Sequence, residues 1–99
     1  MIYYVDIDET ICFYEGQREY PSAQPLQENI DTVNKLYDEG NTVIYWTARG
    51  AVTGIDWTEL TKKQLKAWGA KYTELRLNKP NYDIFICDKA INSRDFFND

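Results

Sequence analysis

The chain contains no histidine and only two cysteines, Cys12 and Cys87, among its 99 residues. The absence of histidine excludes the Ser-His-Asp triad, the Cys-His dyad, and zinc or haem sites built on imidazole. Two distant cysteines are too few for a zinc site or for the disulfide framework of a small secreted protein, so we expect reduced thiols. Any catalysis must therefore depend on carboxylates, hydroxyls, lysine or a metal ion.

Basic residues and long apolar stretches are also scarce. The 11 Lys and Arg residues stand against 16 Asp and Glu residues, and the formal net charge of -5 makes nucleic acid or an anionic membrane an unfavourable partner. The longest apolar runs, at residues 2–5 and 84–87, are far shorter than the roughly 20 residues that a membrane-spanning helix needs. Because Met1 leads directly into a predicted strand, without a basic leader or an apolar signal core, we expect a cytoplasmic protein.

Length and composition predict one globular domain over residues 1–99. Apolar residues make up 43% of the chain and charged residues 27%, which is ordinary for a folded domain. A chain of 99 residues has room for a single hydrophobic core. We expect it to fold alone or as a homo-oligomer.

The order of the predicted elements is that of an α/β fold. Residues 2–7 are β-branched and aromatic, which predicts a central, fully buried strand, and residues 11–25 predict a loop or small hairpin. Apolar residues recur at helical spacing from Leu26, and Gly40 marks the end of that helix. Residues 42–46 predict a second buried strand, so the first part of the chain is interpreted as a right-handed βαβ unit with parallel strands.

The second half continues the same alternation. Residues 56–68 predict a helix, residues 72–77 a third strand and residues 84–87 a fourth strand. We therefore predict a single open parallel sheet in three layers. Ligands of such sheets bind beyond the carboxyl ends of the strands, which directs attention to the residues that follow each strand.

The sharpest motif is Asp6-x-Asp8-x-Thr10, directly after the first predicted strand. In regular β geometry, two carboxylates separated by one residue point the same way, so their repulsion must be relieved by a cation or by bending of the loop. A divalent metal ion is the natural candidate.

This pattern resembles the signature of the haloacid dehalogenase-like (HAD) superfamily of phosphatases and phosphotransferases. The resemblance implies a Rossmann-like sheet in which Asp6 is the nucleophile that forms an aspartyl-phosphate and Asp8 is the general acid/base. Thr10 would shape the substrate-binding loop by hydrogen bonding. Thr47 resembles the hydroxyl of the second motif, which holds a phosphate oxygen, and Lys79 resembles the lysine of the third motif, which neutralises the phosphate.

Arg49 and Asp88 are the remaining candidate residues of this pattern. Arg49 can make a bidentate contact to the phosphate or to an acidic substrate group, or it can form a surface ion pair with Asp or Glu. The fourth motif supplies acidic ligands, and the resemblance implies a Mg²⁺ ion held by Asp88, by Asp6 and by the backbone carbonyl of Asp8. Relatives often carry two adjacent acids at this place, whereas Cys87 precedes Asp88 in this chain.

The resemblance extends over nearly the whole chain, to small HAD proteins often grouped with capsular polysaccharide biosynthesis. The intervals between the motifs leave no room for a cap domain, so a capless member is predicted. Three aromatic residues near the open face, Tyr14, Tyr20 and Trp57, either contribute to substrate selectivity or fill the core.

The function that the resemblance implies is a Mg²⁺-dependent phosphomonoester hydrolase for a small phosphorylated metabolite, with a sugar phosphate as the expected substrate. Alternatives are a phosphatase for nucleic-acid ends or phosphoproteins, a signalling module that accepts a phosphoryl group, and a non-catalytic relative. The acidic net charge of -5 counts against a nucleic acid.

Overall fold

In the computed structural model, which describes residues 1–98, a parallel three-stranded sheet forms the centre of an α/β fold. Its elements, in chain order, are β1 (Ile2–Val5), β2 (Cys12–Phe13), β3 (Gln24–Pro25), α1 (Gln27–Asp38), β4 (Thr42–Trp46), α2 (Thr58–Ala67), β5 (Glu74–Arg76) and α3 (Ser93–Phe97). The strand order is β1-β4-β5, and both pairs are parallel. The predicted α/β class and the parallel βαβ unit are confirmed.

The central strand is β4, because its apolar run allows burial on both faces. Val43 and Tyr45 are fully buried and Ile44 nearly so. The prediction that the first strand is central and fully buried is wrong. Among residues 1–98, β1 pairs with β4 alone, and its side chains alternate in exposure, with Ile2 68% and Tyr4 51% exposed.

The two long helices form where the apolar spacing predicted them. Ile30 and Val33 give α1 its buried side, and the chain leaves the helix at Gly40, whose φ of 95° lies in the left-handed region that favours glycine. In α2 the buried residues are Thr61 and Leu65. Crossovers between parallel strands are right-handed in almost all proteins, and with the strand order β1-β4-β5 this rule places α1 and α2 on the same face of the sheet. In agreement, Ile30, Val33 and Leu65 belong to one core cluster.

The core extends from the sheet into the loop that follows β1. Ile7 and Ile11 are fully buried on either side of that loop and anchor it to the helices. Residues 11–25 form the predicted small hairpin, in which β2 and β3 pair antiparallel. The core cluster consists of Ile7, Ile11, Cys12, Ile30, Val33, Val43, Tyr45 and Leu65.

The predicted fourth strand is absent from the described part of the chain. Residues 84–87 are not in a strand, and Ile84 and Ile86 are 80% and 93% exposed. A strand requires a hydrogen-bonded neighbour, and apolar composition alone does not provide one. The predicted third layer does not cover β1 either, since Ile2 and Tyr4 are exposed. No helix within residues 1–98 is long and apolar enough to cross a bilayer.

Candidate functional site

A cleft of about 260 Å³ opens where the loops after β1 and β4 meet. Asp6 and Asp8 contribute to it from the first loop, and Ala48, Arg49 and Gly50 contribute from the second. The remaining lining residues are Arg18, Tyr20, Val52, Thr53, Ile55, Trp57 and Asn81. The cleft therefore lies at the carboxyl ends of parallel strands, where ligands of such sheets bind.

Asp6 presents an accessible carboxylate to this cleft. Its side chain is 41% exposed, and Lys79 Nζ lies 3.7 Å from its Oδ1. Burial raises the pKa of Asp6, and the positive charge of Lys79 opposes that rise. The pair places a reactive oxygen and a cation together, which suits an anionic ligand such as a phosphate.

Lys79 is held in this position by the backbone of the neighbouring loop. Its N–H donates to the carbonyl of Thr47 at 3.0 Å, and the N–H of Thr47 donates in turn to the carbonyl of Arg76 at 3.0 Å. The Lys79 ammonium also lies over the rings of Trp46 and Tyr82, 5.9 Å and 5.4 Å from their centroids. The structure therefore brings Lys79 next to Asp6 of the first motif.

Asp8 is held in the opposite way, by a closed set of donors. Its side chain is 11% exposed. Arg49 donates from Nη2 to Oδ1 at 2.8 Å and from Nε to Oδ2 at 3.2 Å, and the Tyr14 hydroxyl donates to Oδ1 at 2.6 Å. Burial alone would raise the pKa of Asp8, but the hydrogen bonds from Arg49 and Tyr14 outweigh it and lower the pKa. Asp8 is therefore a firmly ionised carboxylate.

Arg49 is fully buried and pairs with Asp8, so the ion pair that was one of its two predicted roles is internal and does not lie at the surface. Besides Asp8, its Nη1 donates to Thr61 Oγ1 at 3.1 Å and to Gln64 Oε1 at 2.6 Å. Its guanidinium stacks 4.8 Å from the centroid of the Tyr20 ring. Thr61 and Gln64 lie three positions apart on α2. Polar residues at helical spacing on the inward side of a helix could have been recognised in the sequence as partners for a buried charge.

The bent loop between β1 and β2 separates the two carboxylates. Glu9 has a φ of 63°, and its N–H donates to the carbonyl of Cys12 at 3.0 Å. Asp6 consequently meets Lys79 while Asp8 meets Arg49. Loop bending and two separate cationic partners thus relieve the repulsion that the spacing implied.

The two threonines of the predicted site support loops. Thr47 is fully buried, and its Oγ1 accepts the N–H of Arg49 at 3.2 Å. The assignment of its hydroxyl to a phosphate oxygen stays a prediction. Thr10 closes the turn after β1 through its backbone, with its N–H donating to Ile7 and its carbonyl accepting from Asn29 Nδ2.

The structure does not bring Asp88 into the cleft. It is exposed, and Cys87 Sγ lies 3.8 Å from its Oδ1. Across residues 1–98, no three His, Cys, Asp or Glu side chains are grouped so that they could hold a metal ion. Asp88 therefore does not line the cleft with Asp6 and Asp8, because residues 84–87 form no strand that would carry Asp88 to the sheet edge. Asp6 is the open carboxylate of the cleft.

The wall opposite the carboxylates depends on Gly50, a feature that the sequence analysis missed. Gly50 has a φ of 80°, and a Cβ there would collide with the carbonyl oxygen of Ile55 and approach Trp57 Cδ1 to 3.4 Å. Only glycine allows this close contact between the loop after β4 and residues 55–57. Trp57 packs edge-on against Tyr20, with centroids 5.1 Å apart. Of the three candidate aromatic residues, Tyr20 and Trp57 line the cleft, while Tyr14 supports Asp8.

Comparison with known proteins identifies the fold and no family. No family model matches the sequence. The chain is 28% identical over 89 residues to the tryptophan synthase alpha chain of Blochmanniella floridana. That match covers 86% of this chain and 28% of the relative, so the chain spans little more than a quarter of the curated protein that it matches.

A solved structure gives the stronger likeness. The crystal structure of an MCSG target from Vibrio cholerae matches with a TM-score of 0.84 over 96% of this chain and 85% of that chain, at 21% sequence identity. At this identity the match shows the fold, a small α/β domain with a parallel sheet flanked by helices.

Proposed function

We propose that this protein is a HAD-like phosphomonoester hydrolase in which Asp6 is the nucleophile and a small phosphorylated metabolite is the substrate. The observation that carries the proposal is the contrast between the two carboxylates of the first loop. Asp6 is open to the cleft with Lys79 Nζ at 3.7 Å, while Asp8 is enclosed by Arg49 and Tyr14. The Asp6-x-Asp8-x-Thr10 motif, its place after β1 and the α/β fold add support.

The chemistry assigned to Asp6 requires no activating base. A carboxylate oxygen of Asp6 attacks phosphorus, the bond from phosphorus to the alcohol oxygen breaks, and the alcohol leaves with a proton. Water then attacks the aspartyl-phosphate, which releases inorganic phosphate and restores the carboxylate. Lys79 stabilises the negative charge that the phosphoryl group carries in both transition states.

Asp8 is assigned two proton transfers, donation to the leaving alcohol and acceptance from the attacking water. The environment of Asp8 favours the second of them. Arg49 keeps Asp8 ionised, so it is ready to accept a proton from the attacking water. Proton donation to the leaving alcohol requires that the pKa of Asp8 rise when substrate is bound. The negative charge of a phosphate in the cleft acts in that direction, since it opposes the charge of Arg49.

A Mg²⁺ ion is part of the proposal. Asp6 would hold it together with the substrate phosphate, in keeping with the preference of Mg²⁺ for one or two carboxylates plus phosphate oxygens. When bound, the ion would polarise the phosphoryl oxygens. Asp8 is already neutralised by Arg49, and Asp88 lies exposed outside the cleft.

The test is hydrolysis of p-nitrophenyl phosphate with and without Mg²⁺. We expect Asp6→Asn to lower turnover at least about 1,000-fold, as the loss of a nucleophile does in other hydrolases. Asp31→Asn, which changes an exposed carboxylate on α1, serves as the matched control and should keep full turnover. Full activity in Asp6→Asn would refute the assignment.

Labelling separates a hydrolase from a phosphoryl acceptor. We expect a labelled phosphoryl group on Asp6 that appears transiently and is lost as phosphate is released. A label that persists without sustained turnover would favour the signalling alternative. Absence of both label and turnover would favour a non-catalytic protein.

A further inference from the structure

The lining of the cleft combines charged and apolar residues. Asp6 is one of the charged residues, and Lys79 Nζ lies 3.7 Å from its Oδ1. The apolar residues include Val52 and Ile55, which are 76% and 53% exposed, together with Trp57. Exposed aliphatic and aromatic side chains beside a cleft mark a surface that a ligand or partner covers.

Neighbouring residues hold Trp57 in place. Tyr20 packs edge-on against Trp57, and the guanidinium of Arg49 lies 4.8 Å from the centroid of the Tyr20 ring. Gly50 allows the loop after β4 to contact the backbone at Ile55. A preformed aromatic side chain loses little conformational entropy when a planar group stacks on it.

There is also room beside Trp57 for a planar group. A second hollow of about 440 Å³ adjoins the first and shares Arg18, Tyr20 and Trp57 with it. A substrate whose phosphate lies at Asp6 can therefore extend along Trp57 toward this space.

We infer that the substrate is a nucleoside monophosphate, with its phosphate at Asp6 and its base stacked on Trp57, rather than a bare sugar phosphate. This inference rests on the proposed phosphatase function and specifies its substrate class. The juxtaposition of a phosphate-reactive end and an aromatic wall within one cleft fits a ligand that is anionic at one end and planar at the other. Stacking accepts any base because every base has a π-face.

The experiment compares adenosine monophosphate with ribose 5-phosphate, which is the same molecule without its base. We expect kcat/KM for the nucleotide to exceed that for ribose 5-phosphate by about 10-fold or more, in line with the usual contribution of a base stacked on an aromatic side chain. Equal values, or a preference for ribose 5-phosphate, would overturn the inference while leaving the phosphatase function intact. If the protein hydrolyses none of the three compounds, adenosine monophosphate, ribose 5-phosphate and p-nitrophenyl phosphate, both the inference and the proposed phosphatase function are overturned.

Substitutions test whether Trp57 is responsible for the preference for adenosine monophosphate over ribose 5-phosphate. Trp57→Ala should reduce the ratio of the two kcat/KM values to near one, and Trp57→Phe should retain most of it. Tyr37→Ala removes an exposed aromatic side chain of α1 outside the cleft and should leave the ratio unchanged. A ratio that survives in Trp57→Ala would refute the role of this residue.

Binding to the Asp6→Asn protein gives a readout that is independent of turnover and of substitution at Trp57. Calorimetric titration should show tighter binding of adenosine monophosphate than of ribose 5-phosphate by a similar factor. Equal affinities would contradict stacking.

Discussion

Asp6 and Asp8 are two residues apart in one loop, yet they occupy opposite chemical environments. Asp8 is enclosed by the bidentate guanidinium of Arg49 and by the Tyr14 hydroxyl, and these partners lower its pKa. Asp6 is 41% exposed and has Lys79 at 3.7 Å, and burial raises its pKa. Asp8 is bonded into the surrounding framework, and Asp6 is the more accessible of the two carboxylates that line the cleft.

The difference shows how a small domain places an accessible carboxylate beside one that is bonded into its framework. The Arg49 network joins the loops after β1 and β4 to α2, so it positions the whole cleft. This network positions the loop that carries Asp6, but the hydrogen bonds of Arg49 do not involve the Asp6 side chain. Four experiments test this division, in order of decreasing effect.

The largest difference should be in stability. Arg49→Met leaves the enclosed carboxylate of Asp8 without its charge partner, and we expect the free energy of unfolding to fall by about 3–5 kcal/mol. Lys79→Met breaks a longer and more exposed pair, for which we expect a loss of less than about 1 kcal/mol. Urea unfolding measures both. Equal losses would mean that the two pairs do not differ in structural role.

Lys79 contributes little to stability, but we expect the activity to depend strongly on it. Lys79→Met removes the positive charge beside Asp6, and we expect kcat for p-nitrophenyl phosphate to fall about 100-fold, the usual cost of removing one group that stabilises a transition state. Lys79→Arg, which keeps the charge, should retain most of the activity. A fully active Lys79→Met protein would remove Lys79 from the mechanism.

Tyr14→Phe tests the hydrogen bonds around Asp8 with a smaller change, the loss of one hydroxyl group. The Tyr14 hydroxyl donates to Asp8 Oδ1 at 2.6 Å, and loss of a hydrogen bond to a charged group should lower the free energy of unfolding by about 1.5–3 kcal/mol. Because this donor lowers the pKa of Asp8, the pKa should rise in the variant. Urea unfolding and NMR titration of the carboxyl carbon provide the two measurements. An unchanged pKa would show that Tyr14 does not contribute to holding Asp8 ionised.

The smallest effects should be opposite slopes of stability with pH. The lowered pKa of Asp8 means that its stabilising contribution is full above its ordinary value of 3.8 and is lost as the pH falls below it. The raised pKa of Asp6 means that its ionisation destabilises the native state as the pH rises above 3.8. The difference in unfolding free energy between the native protein and Asp8→Asn should thus shrink as the pH falls. The unfolding free energy of Asp6→Asn should increase relative to that of the native protein as the pH rises. Slopes of the same sign would contradict the assigned shifts.

Sequence patterns were informative where the signal is local. The spacing of Ile30 and Val33 predicted α1, and the apolar run of β4 predicted a buried strand. The Asp6-x-Asp8 motif and the rule that ligands bind beyond the carboxyl ends of strands predicted where the cleft lies. Each of these inferences uses neighbours within a few residues.

The features that the sequence did not specify depend on distant partners. The run at residues 84–87 has the composition of a strand, but in the described part of the chain it has no neighbour to pair with. Thr47 follows a strand, but that position did not specify its burial or the hydrogen bond that its Oγ1 accepts from the N–H of Arg49. Arg49 itself was left open between a ligand contact and an ion pair, because its partners Asp8, Thr61 and Gln64 come from separate segments.

The sequence by itself determined the α/β class, the order of the main helices and strands, and the pair of carboxylates after the first strand, because these follow from local periodicity and spacing. Only the tertiary structure decided which carboxylate is open and which is enclosed. Protonation, burial and reactivity depend on charges and donors that approach from loops and helices far away along the chain, and no local pattern specifies that approach.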